Sequence, residues 1–404
     1  MKSVYENVAA VGMDVHNKFS TVTMRDAQAK VVRREKLEHG DRAALRERLS
    51  QWHPEAPVVM EASFGWGWLA DEMTELGMHP ALSNCFKVEQ MRKSRGLAKT
   101  NRKDADLLSL LPFEKEDWWK VWLAPPEVRD RRETMRYRSS LVAIQTGTKN
   151  RISALLQRHG VMHEFSDLFG VKGYRFLEEL GREGRWSQGQ LLPGARQGLA
   201  GLLELLDHVR KQLAQVSRRL RTELEATDLT RRLDGVPGIG MILAHTIQSE
   251  IGKIERLRNH RALACYSLLA PMSNDTGEDE PGKAPLGRHL GHRGNRTLKW
   301  AFIEAAHAAV KRGGKWRKIF DEATEGGRRN RNTGYIKVAR ELVKVVYVVW
   351  KKNVEYTDTP PARPGSRKPS YTPPEEPRRE TAREFFGCTR SGTGQSSRPM
   401  AAVQ

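Results

Sequence analysis

Four acidic positions stand where strand ends and a helix start place them for shared chemistry. Asp14 ends the apolar β-like run Ala9-Ala10-Val11-Gly12-Met13, and Glu61 ends a second one, Pro57-Val58-Val59-Met60. Asp104 and Asp106 open an apolar helical stretch, Leu107-Leu108-Ser109-Leu110-Leu111. Adjacent parallel strands bring such carboxylates to one edge of a sheet. There they repel one another, so either their pKa values shift or they hold a cation such as Mg²⁺. Two metal ions about 3.5 to 4 Å apart then clamp both sides of a phosphoryl displacement. Each acid alone reads as a surface carboxylate or a helix N-cap. The combination points to phosphoryl chemistry.

The elements that must position these acids follow from periodicity. Between Val8 and about Leu111, β-like runs at Ala9–Asp14, Ser20–Met24, Lys30–Leu37 and Pro57–Met60 alternate with helical pattern, including a helix over Asp41–Trp52. That order predicts an α/β domain. After Trp118, Trp119 and Trp122, the turn Ala124-Pro125-Pro126 opens a helical stretch to about Gly160, and a second covers Leu199–Ala226. These two are expected to pair as an antiparallel coiled coil. Arg210, Lys211, Arg218, Arg219 and Arg221 crowd its polar face, as either a solvated face or a nucleic-acid groove. Helical pattern returns at Arg296–Lys311 and Tyr335–Lys352, and from about Asp358 a Pro-, Arg- and Ser-rich tail reads as disordered. The expected organisation is α/β plus all-α, with divisions at residues 1–115, 116–228, 229–355 and 356–404.

Composition narrows the partner. In 404 residues, 69 Lys plus Arg against 49 Asp plus Glu leave a formal charge of +20, which favours a polyanion. The segment Met1–Gly12 lacks a signal peptide's continuous apolar stretch, and Val345–Trp350 is far too short to span a bilayer. Cys85, Cys265 and Cys388 have no short pairing, so neither a disulfide framework nor a cysteine zinc site is indicated. A reducing cytoplasmic location is expected, with no membrane partner.

Three blocks, Gly12-Met13-Asp14-Val15-His16, Met60-Glu61-Ala62-Ser63 and Lys99-Thr100-Asn101-Arg102-Lys103-Asp104-Ala105, resemble the DEDD transposases of insertion-sequence family one hundred and ten, which includes the Piv-type invertases. The resemblance implies a RuvC-like, ribonuclease H-like domain whose acids bind Mg²⁺. The family's third block has acids three residues apart, which fall here on Asn101 and Asp104. An amide oxygen is a weaker, uncharged ligand. Three outcomes stay open: Asn101 still ligates, Asp106 substitutes, or one metal site is weakened.

Further along, Leu233-Asp234-Gly235-Val236-Pro237-Gly238-Ile239-Gly240 looks like the hairpin of a helix-hairpin-helix. Its glycines, Gly238 and Gly240, allow a tight turn, and N–H groups at the next helix start can meet a DNA phosphate without reading bases. A Gly-rich connection between packed helices is the equal alternative. Next come Tyr266-Ser267-Leu268-Leu269-Ala270-Pro271 and a stretch rich in Arg, His and Gly over 287–296, again resembling the family's C-terminal domain. Family members place a nucleophilic serine immediately before the glycine at Gly277. Here that position is Thr276, with Ser273 as the other candidate. Arg288, Arg293 and Arg296 suit phosphate positioning, whereas His289 and His292 lack the clustered ligands of a metal site.

The resemblance covers roughly Val8 to Lys311. It implies a transposase that cleaves and rejoins DNA by hydroxyl attack, works as a dimer or tetramer with composite active sites, and uses a noncoding guide RNA pairing with element-end and target DNA. Two alternatives stand beside it: a Holliday-junction-type nuclease using metal-activated water, and a noncatalytic DNA-binding remnant, the latter motivated by Asn101 and Thr276.

Overall fold

The computed structural model describes residues 5–222, 227–271, 290 and 294–358. It has an α/β N-terminal part followed by helices. Strands β1 (Ala10–Val15), β2 (Phe19–Arg25) and β3 (Val31–Glu38) form an antiparallel meander, helix α1 (Arg42–Ser50) follows, and β4 (Pro57–Glu61) returns parallel to β1. Helix α2 (Trp66–Glu75), strand β5 (His79–Ser83), helices α3 (Cys85–Ser94) and α4 (Asn101–Leu108) and the short β6 (Lys120–Val121) complete it. The mixed sheet runs β3-β2-β1-β4-β5-β6. This order, an antiparallel β3-β2-β1 followed by parallel β4 and β5 and an antiparallel β6 at the edge, is consistent with the RuvC-like expectation.

Strand alternation divides the sheet's two faces between helices. Val11, Met13, Val58 and Met60 share a core with Leu45 and Leu49 of α1 and Leu69 and Met73 of α2. Val59 points the other way, joining Val88 of α3 and Leu107 and Leu108 of α4. Side-chain caps set the helix starts: Asp41 accepts from the Ala43 and Ala44 N–H groups, Asn84 from Phe86 and Lys87, and Thr100 from Lys103.

Beyond the sheet, α5 (Pro126–Arg158), α6 (Val171–Glu183) and α7 (Pro193–Thr222) follow. Met135 and Leu141 of α5 pack with Val209, Val216 and Leu220 of α7, while Ile152 and Leu155 pack with Leu199 and Leu203. The two long helices are therefore antiparallel. Their sequence spacing carries this pairing, although α7 begins six residues before the expected Leu199, at Pro193.

The last helices share one core: α8 (Asp228–Asp234), α9 (Met241–Ile251), α10 (His260–Tyr266), α11 (Arg296–Arg312), α12 (Gly314–Ala323) and α13 (Arg331–Lys352). Among the described residues, no helix is long and apolar enough to cross a membrane.

Candidate active site

Register places two of the acids side by side. Met13 of β1 pairs with Met60 of β4, and Asp14 and Glu61 each follow by one position at the carboxyl ends of these parallel strands. By alternation, Asp14 shares a face with Gly12, and Glu61 shares one with Val59. That is the face covered by α4.

Helix α4 brings the third acid because β1 makes room for it. A Cβ at Gly12 would lie 2.2 Å from Ser109 N and 2.3 Å from Ala105 O, so only glycine lets this helix backbone rest on the strand. Polar contacts fix its rotation. Asp106 accepts from Arg34 Nε at 2.9 Å and Nη2 at 3.1 Å and from Thr23 Oγ1 at 2.8 Å, while Arg25 Nε donates to Ser109 Oγ at 2.7 Å. Residues two apart on a helix point about 200° apart, so tying Asp106 to β2 and β3 turns Asp104 away from that side. Asp106 is thus tied to β2 and β3 through Thr23 and Arg34. Burial alone would raise its pKa, but the Arg34 and Thr23 hydrogen bonds outweigh this and hold it below the ordinary carboxylate range. Asn101, the first residue of α4, stands exposed one turn before Asp104 on the same side.

Asp14, Glu61 and Asp104 feel one another. All three have pKa values raised first by burial; the Asp14 charge adds to the rise at Asp104, and both other acids add to it at Glu61. Lys99, exposed in the loop before α4, offsets part of this at all three. Among the described residues, no group of three or more His, Cys, Asp or Glu side chains closes into a cation cage. The donor set nevertheless suits a hard divalent cation: carboxylate oxygens, partly desolvated and mutually repelling.

Two neighbours escaped the sequence reading. His16 Nε2 lies 3.1 Å from Asp14 Oδ2, and the pair lowers the proton affinity that burial raises. Its position two residues after Asp14, just past the end of β1, was the available signal. The Cys85 thiol, on the first turn of α3, hydrogen-bonds Glu61 and is pushed up to about 11 by burial and then by that carboxylate's charge. No sequence signal marks this contact, because it depends on Glu61 pairing with Ser83 across β4 and β5.

Thr276, Ser273, Arg288, Arg293, His289 and His292 lie outside the described residues, as does the expected disordered tail from 359 onward. Arg296 is exposed on the first turn of α11, behind the Asn295 cap. Gly238, at φ +87°, packs on that helix: a Cβ there would lie 2.1 Å from Ala305 O. Its packing role matches the connection reading of the hairpin. Gly240 caps α9 with open space around it.

A buried charge ties these helices to α5. Glu250, fully buried, accepts from Arg136 at 2.8 and 2.9 Å and from Asn295 Nδ2 at 2.7 Å, while Arg132 Nε donates to Ser249 O at 2.8 Å.

Comparison with known proteins finds two family models. One described as "Transposase", of the DEDD IS110 type, matches residues 11–160, and one described as "Transposase IS116/IS110/IS902 family" matches residues 230–321. Together they cover more than half of the chain. The chain is similar to the transposase for insertion sequence element IS1111A of Coxiella burnetii, 24% identical over 74% of this chain and 79% of that protein. It is also similar to the transposase for element IS1328 of Yersinia enterocolitica, 22% identical over 76% of this chain and 85% of that one. The IS110 uncharacterized 43.6 kDa protein of Streptomyces coelicolor is 26% identical over 40% and 38%.

Proposed function

The chain belongs to the IS116/IS110/IS902 transposase family, and from that premise we propose that it cuts and rejoins DNA at the ends of an insertion sequence, with Asp14, Glu61 and Asp104 as its phosphoryl-transfer site. The supporting observation is the register of β1 and β4, which sets Asp14 beside Glu61 on the face where Gly12 admits α4 and Asp104. Held by these carboxylates, and by Asn101 as a neutral ligand, Mg²⁺ would supply charge neutralisation at the phosphate oxygens. Lys99 draws the DNA phosphate toward the otherwise anionic edge. Cys85 and His16 orient Glu61 and Asp14 by hydrogen bond and charge.

The nucleophile we assign is the Thr276 hydroxyl, with Ser273 second. Its oxygen forms a phosphoester as the bond from phosphorus to the departing deoxyribose oxygen breaks, and a hydroxyl of the new partner strand reverses the step. Bond energy is conserved, so no nucleotide is hydrolysed. Arg288, Arg293 and Arg296 position phosphates, and the α9 start at Gly240 offers backbone N–H groups to another. The antiparallel pair of α5 and α7 serves as a coiled-coil arm between subunits of a dimer or tetramer. The net charge of +20 favours a large polyanionic surface, shared between DNA and a guide RNA.

Trapping the adduct tests this reading. With Mg²⁺, element-end DNA and the RNA transcribed beside the gene, a covalent protein-DNA species is expected from the wild type and lost in Thr276→Ala. Loss in Ser273→Ala alone moves the nucleophile. Cleavage with no adduct favours the metal-activated water of a nuclease.

A further inference from the structure

The turn after Glu61 introduces three aromatic side chains within five residues, Phe64, Trp66 and Trp68. Two are accounted for. The Arg129 guanidinium lies 5.4 Å from the Trp66 ring centre and that of Arg42 lies 3.7 Å from Trp68, and both rings pack on the N-terminal core. Phe64 is different: at 94% exposure it is the barest large hydrophobic side chain among the described residues.

Single exposed apolar residues are ordinary on protein surfaces, so position must decide whether this one means anything. Here the supporting turn is pinned. The Ala62 N–H donates to Ser83 O at 3.1 Å and the Ser63 N–H donates to Glu61 O at 2.8 Å. Gly65, at φ +82°, turns the chain back so that its Cβ position is 3.8 Å from Val15 Cγ1. The turn therefore crosses from the end of β4 to the end of β1, between Glu61 and the residue after Asp14. It holds the Phe64 ring out at the rim of the acidic edge, where Lys99 supplies a cation for a phosphate.

We propose that Phe64 is a stacking platform for a nucleobase of the DNA strand whose phosphate enters this edge, an inference that rests on the recombinase reading. Every base offers a π-face, so the contact tolerates any sequence but requires a base splayed out of the duplex. Phe64 thus selects strands that are unpaired or opened at the reacting phosphate, beyond what the acids recognise.

The test is photocrosslinking of the full chain to element-end DNA substituted with 5-iododeoxyuridine around the cleavage junction, with the labelled peptide mapped by mass spectrometry. Because the ring is bare, Phe64→Ala is expected to leave thermal unfolding unchanged. Crosslinking to the peptide carrying Phe64 is expected in the wild type, lost in Phe64→Ala and retained in Phe64→Trp, with single-stranded DNA bound about ten-fold more weakly by the alanine variant. Crosslinks that map elsewhere, with unchanged affinity in Phe64→Ala, overturn the assignment and leave the recombinase reading intact. A wild-type protein that binds no element-end DNA brings down both.

Discussion

At the scale of single residues, the acids store a cost that a bound cation would relieve. A carboxyl group whose pKa is raised by folding stabilises the folded state at low pH and loses that benefit as pH rises through its folded value. Asp14, Glu61 and Asp104 are all raised, so near neutral pH their charged forms oppose folding. Asp14→Asn is expected to raise the Tm without metal and to remove most of the Tm gain that Mg²⁺ gives the wild type; equal Mg²⁺ gains in both proteins would refute the shared site. Cys85 reports on the same edge without metal. Its alkylation should show a midpoint near its pKa of about 11 and move down in Glu61→Gln, since the neighbouring charge contributes to the shift; no movement would deny that contact. Asp14 and Glu61 stood out in the sequence because each ends an apolar run, and Asp104 because it precedes one, although it falls inside α4 rather than at its start. The tether on Asp106 was not legible, because its partner Arg34 is 72 residues away, and a local pattern carries no record of who sits across the sheet.

At the scale of elements, the site depends on how closely α4 lies on β1. Gly12→Val forces side-chain atoms into the Ala105 and Ser109 backbone, an overpacking cost of about 1–3 kcal/mol or more. DNA cleavage is expected to fall below wild type even at temperatures where circular dichroism shows the variant folded, because Asp104 moves with the helix. Wild-type turnover from a folded variant would separate α4 from catalysis. Glu250 plays the anchoring part for α5. Glu250→Ala leaves Arg136 and Arg132 without their buried partner, which costs about 3–5 kcal/mol for a fully buried pair and less here because Arg136 is 48% exposed; denaturant unfolding should show the loss, and an unchanged midpoint would rule out this anchor. Sequence periodicity yielded the runs that form β1 to β4, both long helices, and α11 and α13. It missed α2, β5 and α3, where the strand is only five residues and carries Pro80, and it missed α6, which lies between the two stretches read as the arm.

For the whole molecule, composition identified the partner class while connectivity had to come from the fold. The net charge of +20 points to a polyanion without locating its path. The parallel return of β4 beside β1 is what converts acids 47 positions apart in the chain into neighbours. The measurement bearing most directly on the transposase assignment is strand cleavage and joining of element-end DNA, with Mg²⁺ and the RNA transcribed beside the gene, by wild type, Asp14→Asn and Glu61→Gln. Recombined strands from the wild type and none from either variant, with DNA binding retained in all three, are the expected result. Wild-type yields from both variants would contradict a phosphoryl-transfer site at this strand edge.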